Sequence, residues 1–381
     1  MSRPLRFGVI GLGLMGREFA SAAARWCHLE DLGVHPVITA ACDTNPGALE
    51  WFRRHVPTLR LVTPDYRELL AHPEVDAVYC AVPHHLHEQL YCDIIRSGKH
   101  LLGEKPFGID KEANARIGEA IAAHPEVLVR CSSEFPFFPG AQAVFGAVRS
   151  GRLGRIIELE AGFLHSSDLD PDKPLNWKRM ARFNGLYGCL GDLGLHVLHL
   201  PLRLGWRFEN VHALLSNLVP ERPDGRGGRA PCDTPDNATL ACDAYADGPE
   251  GRVTFPALLH TKRIAPGETN TWFIRVHGMR GSAEFSTKYP KTFRFMTYKG
   301  GAQVWGHQDL GFESVYKTIT GSIFEFGFTD AVLQMWAAFC DEVAHGRERM
   351  RGGFWCATPE EAAESHRLFT AALASQRART P

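Results

Sequence analysis

Long apolar runs are missing from this 381-residue chain, and none reaches the length a membrane-spanning helix needs. An excess of charge of either sign is missing too. The formal net charge is −1, so no general pull toward nucleic acid or an anionic membrane is expected. The N-terminus does not read as a signal peptide, because its apolar run carries glycines and lacks a small-residue cleavage pattern. The ten cysteines never form a C-x-x-C pair. Reduced, mostly buried thiols in a reducing compartment are therefore expected, and with them a cytoplasmic location. No internal repeat is visible. What is present is the balance of a soluble globular protein, 44% hydrophobic and 22% charged, long enough for two or three domains with sizeable cores.

The chain is organised around its start. Leu5 to Ile10 reads as a buried strand, and Gly11, Gly13 and Gly16 follow in the G-x-G-x-x-G spacing. Arg17 to Arg25 then reads as a helix. Gly11 allows the tight turn, Gly13 lets the backbone approach a pyrophosphate, and Gly16 lets the helix pack closely on the strand. The N–H groups at the helix start suit a doubly charged ligand. The strand-to-helix context is the one the motif requires, so a dinucleotide-binding turn is expected, the alternative being a glycine-rich strand-to-helix turn without a ligand.

Trp26 to Pro36 reads as an irregular surface insertion, and Val37 to Cys42 as the second strand, ending in Asp43. An acid there can accept hydrogen bonds from the adenosine ribose hydroxyls and repels a 2′-phosphate, so NAD is expected over NADP. Strands at Leu59 to Thr63, Asp76 to Val82, His100 to Gly103 and Val127 to Ser132 alternate with helices at Asp65 to Ala71, His84 to Ser97 and Asp110 to Ala123. That alternation predicts a doubly wound parallel sheet of the Rossmann type over residues 1–132. Ligands of such a sheet lie off the carboxyl ends of its strands. Those ends carry Gly11 to Gly16, Asp43, Pro83-His84-His85 and Glu104-Lys105-Pro106.

Residues 133–381 have a different texture. Long strands are expected at Arg155 to Leu164, Asn210 to Val219, Asn237 to Ala246, Arg252 to Thr261, Asn270 to His277, Ser282 to Ser286, Thr292 to Lys299 and Ala302 to Gly306. Glu221 to Asp236, rich in Pro, Gly, Arg and Asp, reads as a mobile loop. The pattern predicts an α+β domain with a large, mostly antiparallel open sheet, which binds substrate and joins subunits into a homodimer or homotetramer. Helices are expected at Thr329 to Ala344 and from Thr358-Pro359-Glu360-Glu361 onward, the latter with an N-cap, a proline at the first helical position and a capping-box glutamate. Phe324, Phe326, Phe328, Trp336 and Phe339 are expected to pack this second domain.

Asp192 and His196 stand i, i+4 in a glycine-rich run, so a helix puts both on one face. A histidine can take a proton from an alcohol, and an aspartate one turn away can orient it. Trp177 offers an aromatic face to a ligand, while Lys178, Asp168, Asp170 and Asp172 can serve its polar groups or merely hydrate a loop. His84, His85 and His87 are close in sequence, yet no further Cys or Asp completes a zinc spacing, and no metal is expected.

These pieces together resemble the Gfo/Idh/MocA family of sugar and inositol oxidoreductases. The resemblance runs through Gly11-x-Gly13-x-x-Gly16, Asp43, Glu104-Lys105-Pro106, Ser150-Gly151-Arg152-Leu153-Gly154, Trp177-Lys178, Asp192-x-x-x-His196 and the last helix. It implies hydride transfer between a nicotinamide and the secondary carbinol of a sugar, glycoside or inositol. It casts Lys105, Asp192 and His196 as catalytic, and it implies a cis Lys105–Pro106 bond. The cofactor set expected on this basis is Gly11, Leu12, Gly13, Leu14, Met15, Gly16, Asp43, Thr44, Ala81, Pro83, His84, His87, Glu104 and Lys105. The substrate set is Lys105, Glu134, Trp177, Lys178, Asp192 and His196. Glu134 marks a departure, since many relatives carry an Asn-Arg-like stretch where this chain has Ser132 to Pro139. Two other readings stand beside the dehydrogenase: an NAD-using glycosidase that oxidises C3 transiently, and a non-catalytic dinucleotide-binding sugar sensor. A sensor would be expected to lose Lys105 or His196, and this chain retains both.

Overall fold

The computed structural model describes residues 2–30, 32–248, 251–310, 314–321 and 323–379. It divides into two compact units: Met1–Gly108 with Glu112–Phe137 and Phe312–Pro359, and Ile109–Lys111 with Phe138–Gly311 and Glu360–Pro381.

The first unit is built on β1 (Arg3–Ile10), α1 (Leu14–Ala24), β2 (Val34–Cys42), α2 (Pro46–His55), β3 (Leu61–Thr63), α3 (Tyr66–Ala71), β4 (Ala77–Cys80), α4 (His87–Arg96), β5 (His100–Gly103), α5 (Lys111–Ala123) and β6 (Val129–Cys131). The six strands pair in parallel in the order β3-β2-β1-β4-β5-β6. This is the predicted Rossmann-type, doubly wound sheet. The order reverses between β1 and β4, so the ligand crevice of this topology opens at their carboxyl ends. The central strands are continuous apolar runs because helices cover both faces. Local chemistry starts the helices where it should. Asn45 Oδ1 accepts the Gly47 N–H at 2.9 Å with Pro46 at the first helical position, and Asp65 Oδ1 accepts the Arg67 N–H at 2.9 Å. The Arg6 guanidinium grips Asp76 through two bonds of 2.9 and 2.6 Å, tying β1 to the entry of β4.

Trp26 to Pro36 is not a surface insertion. Leu29 and Leu32 are buried, β2 starts at Val34, and the Glu30 N–H donates to the Lys317 carbonyl at 2.9 Å. The later stretch of chain that pairs with it is invisible to local reading.

The second unit adds α6 (Pro139–Arg149), β7 (Ile156–Leu164), α7 (Ala181–Asn184), α8 (Cys189–Arg203), β8 (Arg207–Ser216), β9 (Glu221–Pro223), β10 (Arg229–Pro231), β11 (Asn237–Gly248), β12 (Gly251–Lys262), β13 (Thr271–Gly278), β14 (Gly281–Ser286), β15 (Thr292–Thr297) and β16 (Gly306–Asp309). Eight of these strands form one sheet, β16-β15-β14-β13-β7-β12-β11-β8, antiparallel except where β12 pairs with β7. One face is buried, with Phe255, Ala257 and Leu259 of β12 inward. The other carries Leu214, Leu258 and a cross-strand row of charges, in which Arg275 reaches Glu160 at 2.8 Å and Glu284 at 2.7 Å, and Arg294 also pairs with Glu284.

Glu221 to Asp236 is an ordered ribbon rather than a mobile loop. β9 and β10 pair antiparallel, and the buried Arg222 donates to the carbonyls of Asp168 at 2.5 Å and Asp170 at 2.6 Å. The polar composition that suggested mobility is what supplies these bonds. The last strand falls at Gly306–Asp309 instead of Ala302 to Gly306, after the left-handed pair Gly300 (φ 78°) and Gly301 (φ 69°).

Two helices close the chain, α9 (Phe328–His345) and α10 (Pro359–Arg379). α10 belongs to the second unit, where Glu361 takes Arg203 of α8 through bonds of 2.8 and 2.9 Å. α9 belongs to the first. Trp336 lies 3.5 Å from Phe19, 4.8 Å from Tyr79 and 5.2 Å from Phe7 between ring centroids. Trp336 and Phe339 therefore pack the nucleotide-binding unit, and Phe324 is exposed, which corrects the expectation that all five aromatics fill the second core. Residues 312–359 correspondingly depart from a single boundary at 132/133.

Candidate active site

The first unit carries its candidate residues in the crevice of the parallel sheet. Gly11 has φ 88°, and a Cβ there would come within 2.2 Å of the Ala81 carbonyl oxygen. A Cβ on Gly16 would come within 2.3 Å of the Gly11 carbonyl oxygen, so this glycine sets how closely α1 lies on the turn. Gly13 differs from both, because a Cβ there meets no protein atom within 4 Å. Among the described residues no side chain caps α1, so the first-turn N–H groups of Leu14, Met15 and Gly16 suit an anion. Leu12 is buried and its N–H donates to Asp43 Oδ2 at 2.7 Å, while Thr44 is exposed beyond it. This cradle fits a dinucleotide: open space at Gly13, a helix start without a cap, and an acid at the end of β2.

The carboxyl end of β4 supplies Ala81 and Pro83, both half-buried, and then His84 and His87, both buried. The His87 ring bridges two backbone groups. Its Nε2 lies 3.0 Å from the Val82 carbonyl, and its Nδ1 accepts the Gly108 N–H at 3.4 Å. It thus braces the Lys105 turn against the β4 loop. Among the described residues no group of three His, Cys, Asp or Glu is arranged to hold a metal ion.

Lys105 follows β5, half-buried, and the Lys105–Pro106 bond is cis. Glu104 is anchored from beneath: Tyr79 Oη donates to its Oε1 at 2.8 Å and Tyr91 Oη to its carbonyl at 2.8 Å. Burial, then the Glu104 charge, pushes the Tyr79 phenol well above its ordinary value and keeps it a donor. Glu134 is buried in the same unit. Burial, then the nearby Glu104 carboxylate, raises its acid to about 8, with Lys105 pulling the other way. Glu134 is therefore a neutral acid at neutral pH. Neither tyrosine carries a local motif that would have flagged it.

The second unit carries its candidate residues on α8 and the strand ends beside it. Asp192 and His196 stand one turn apart on a fully buried stretch of α8. Trp272 Nε1 donates to the His196 carbonyl at 2.8 Å, and the Phe163 ring meets the imidazole edge-on at 5.5 Å. Lys178 Nζ reaches both Asp192 oxygens, at 2.9 and 3.1 Å, and lies 5.6 Å from the half-buried Trp177 ring. The three loop aspartates separate. Asp168 is buried and paired with Arg263 at 2.8 Å, Asp170 accepts the Asp172 N–H at 2.9 Å, and Asp172 pairs with Arg229 at 3.1 Å. Burial works to raise Asp168, but Arg263 and then Lys173 bring it down to about 2. His165, held at about 4 by burial and by Arg263, stays neutral. Arg263 and His165 were missed by motif reading, because their place beside Asp192 comes from sheet register.

Residues 5–130 match the oxidoreductase family with an NAD-binding Rossmann fold, and residues 141–284 match the C-terminal domain of the same family. The chain belongs to the Gfo/Idh/MocA oxidoreductase family. It is an NAD-binding oxidoreductase in the Gfo/Idh/MocA sense, with the nucleotide domain first and the mostly antiparallel domain second. It is 28% identical to the levoglucosan dehydrogenase of Pseudarthrobacter phenanthrenivorans over 297 residues, 74% of this chain and 73% of that one. It is 29% identical to the inositol 2-dehydrogenase of Pseudomonas fluorescens over 46% of this chain and 48% of that one. A levoglucosan dehydrogenase solved with NADH and levoglucosan shares the fold at a TM-score of 0.85 and 22% identity, covering 99% of this chain and 98% of that one. Among the described residues no helix is long and apolar enough to cross a membrane.

Proposed function

We propose that this Gfo/Idh/MocA oxidoreductase oxidises a secondary carbinol on the ring of a sugar, glycoside or inositol. The observation that carries the reading is the acid–base pair on α8, Asp192 and His196 one turn apart, with the Lys178 ammonium on the Asp192 carboxylate. The similarity to levoglucosan and inositol dehydrogenases supports the substrate class. NAD, bound at the Gly11–Gly16 turn and Asp43, supplies the hydride acceptor. His196 removes the hydroxyl proton, Lys105 hydrogen-bonds the same oxygen and stabilises its developing negative charge, and Asp192 fixes the geometry. Trp177 offers its face to the apolar C–H side of the ring, and Glu134, as a neutral acid, donates to a ring hydroxyl. The exposed sheet face with Leu214 and Leu258 is the surface on which copies of the chain pair as a homodimer or homotetramer, in the cytoplasm.

The test is purified protein with NAD against a panel of inositols, aldoses and glycosides, read at the NADH absorbance band. Turnover on at least one polyol is expected, and His196→Ala and Lys105→Ala should each lower it at least ~10²-fold with NAD binding retained. Near-normal turnover in either variant removes the assigned role. Sugar release from a glycoside without net NADH would replace the dehydrogenase with the glycosidase reading. Sedimentation of wild type against Leu258→Arg reads the sheet interface.

A further inference from the structure

Arg263, one residue past β12, carries no motif, yet its side chain is 7% exposed and forked between two carboxylates. Nε donates to Asp168 Oδ2 at 2.8 Å, Nη2 to Ser167 Oγ at 3.2 Å, and Nη1 to Asp192 Oδ2. Asp192 also takes Lys178 through both oxygens, at 2.9 and 3.1 Å. On the far side Asp168 takes Lys173 Nζ at 3.2 Å. The row Lys173, Asp168, Arg263, Asp192, Lys178 alternates in charge, and its Asp192 stands on α8 one turn before His196. Its middle is pinned by backbone: the Asp168 N–H donates to the Arg263 carbonyl at 3.1 Å, and the Arg263 N–H to the Asp236 carbonyl at 2.9 Å.

We propose that Arg263 is a positioning residue: latched to Asp168, it holds Asp192 as an ionised, immobile carboxylate beside His196, so that the substrate hydroxyl proton goes to His196 and not to Asp192. The proposal rests on the dehydrogenase reading of the same site. A carboxylate that accepts charge-assisted bonds from a guanidinium and an ammonium is a poor proton acceptor and has little freedom to turn. Lys178 and Arg263 bond Asp192, and the neutral His165 lies within its field, so these groups favour the ionised form. Lysine at 263 can satisfy one carboxylate or the other but cannot reproduce the fork.

The experiment compares wild type, Arg263→Lys and Asp168→Asn. Thermal melts and NAD titrations verify that fold and cofactor binding survive. In Arg263→Lys, kcat is expected to fall at least ~10-fold with a smaller change in KM. The acid limb of its kcat profile is expected to move up by about one pH unit. Asp168→Asn keeps the guanidinium but deletes the competing carboxylate, moves the limb the other way, toward lower pH, and carries the test if Arg263→Lys does not fold. An unmoved limb with kcat within about twofold of wild type, or an equal fall at every pH, overturns the proposal. The carboxyl titration of Asp192, followed by ¹³C NMR in aspartate-labelled protein and assigned with Asp192→Asn, needs no turnover. If wild type oxidises nothing on the panel, the dehydrogenase reading fails, while an Asp192 titration unmoved by Arg263→Lys still separately overturns the clamp.

Discussion

The Leu12 N–H donates to Asp43 Oδ2 at 2.7 Å, and the Asn45 N–H donates to Asp43 Oδ1 at 2.8 Å. The acid that closes β2 thereby braces the glycine turn that closes β1, and both oxygens keep a lone pair for ribose hydroxyls. Asp43→Ala leaves the Leu12 amide without that acceptor, a loss of ~1–3 kcal/mol, and removes the charge that disfavours a 2′-phosphate. The dissociation constant for NAD is expected to rise at least ~10-fold, and the preference over NADP to shrink. Titration of wild type and variant with both nucleotides decides it. A wild type that prefers NADP would refute the ribose assignment.

The three glycines of the turn should fail differently. Gly13→Ala places its methyl in open space, so the melting temperature should stay within about 1–2 °C of wild type while NAD binding weakens at least ~10-fold. Gly16→Ala drives a methyl to within 2.3 Å of the Gly11 carbonyl oxygen and should lower the melting temperature itself. Scanning calorimetry beside nucleotide titration separates the two outcomes. A Gly13→Ala protein that binds NAD normally would place the pyrophosphate elsewhere.

What was legible in the sequence was what a few consecutive residues decide. The glycine turn, the strand–helix alternation and the Asp192–His196 spacing each lie within one element or one connection. Arg263 was not legible, because it meets Asp192 across 71 residues and Asp168 across 95, and the parallel pairing of β7 with β12 brings it there. Glu221 to Asp236 has the composition of a loose loop, and the carbonyls of Asp168, Asp170 and Lys173, far earlier in the chain, give Arg222 partners that its own neighbours do not announce.

Glu134 gives a pH dependence with a definite sign. Its acid is raised from 4.5 to about 8 by burial and by Glu104, so the folded state holds the proton more tightly than the unfolded chain. The stability this contributes is complete below about pH 4.5 and is lost as pH rises toward 8. Glu134→Gln keeps the shape and never ionises. Its melting temperature should be close to wild type at pH 5 and higher by at least ~2 °C at pH 9. Melts across that range test it, and a difference that runs the other way would mean that Glu134 is ionised in the folded protein.

Trp336 tests where α9 belongs. Its ring is 1% exposed and sits among Phe7 of β1, Phe19 of α1 and Tyr79 of β4, and Tyr79 in turn donates to Glu104. Trp336→Ala removes the ring from this cluster and leaves a cavity, at a cost of ~3–5 kcal/mol. If α9 packed only the antiparallel domain, NAD binding would be indifferent to the change. Because Phe19 lies on the helix that starts at the glycine turn, the variant is expected to melt lower and to bind NAD more weakly. NAD should also recover less of the lost stability in the variant than it adds to wild type, since ligand stabilisation scales with affinity for the folded form. Melting temperature against NAD concentration measures both effects at once, and a variant with lowered stability but an unchanged NAD-dependent shift would separate α9 from the cofactor cradle.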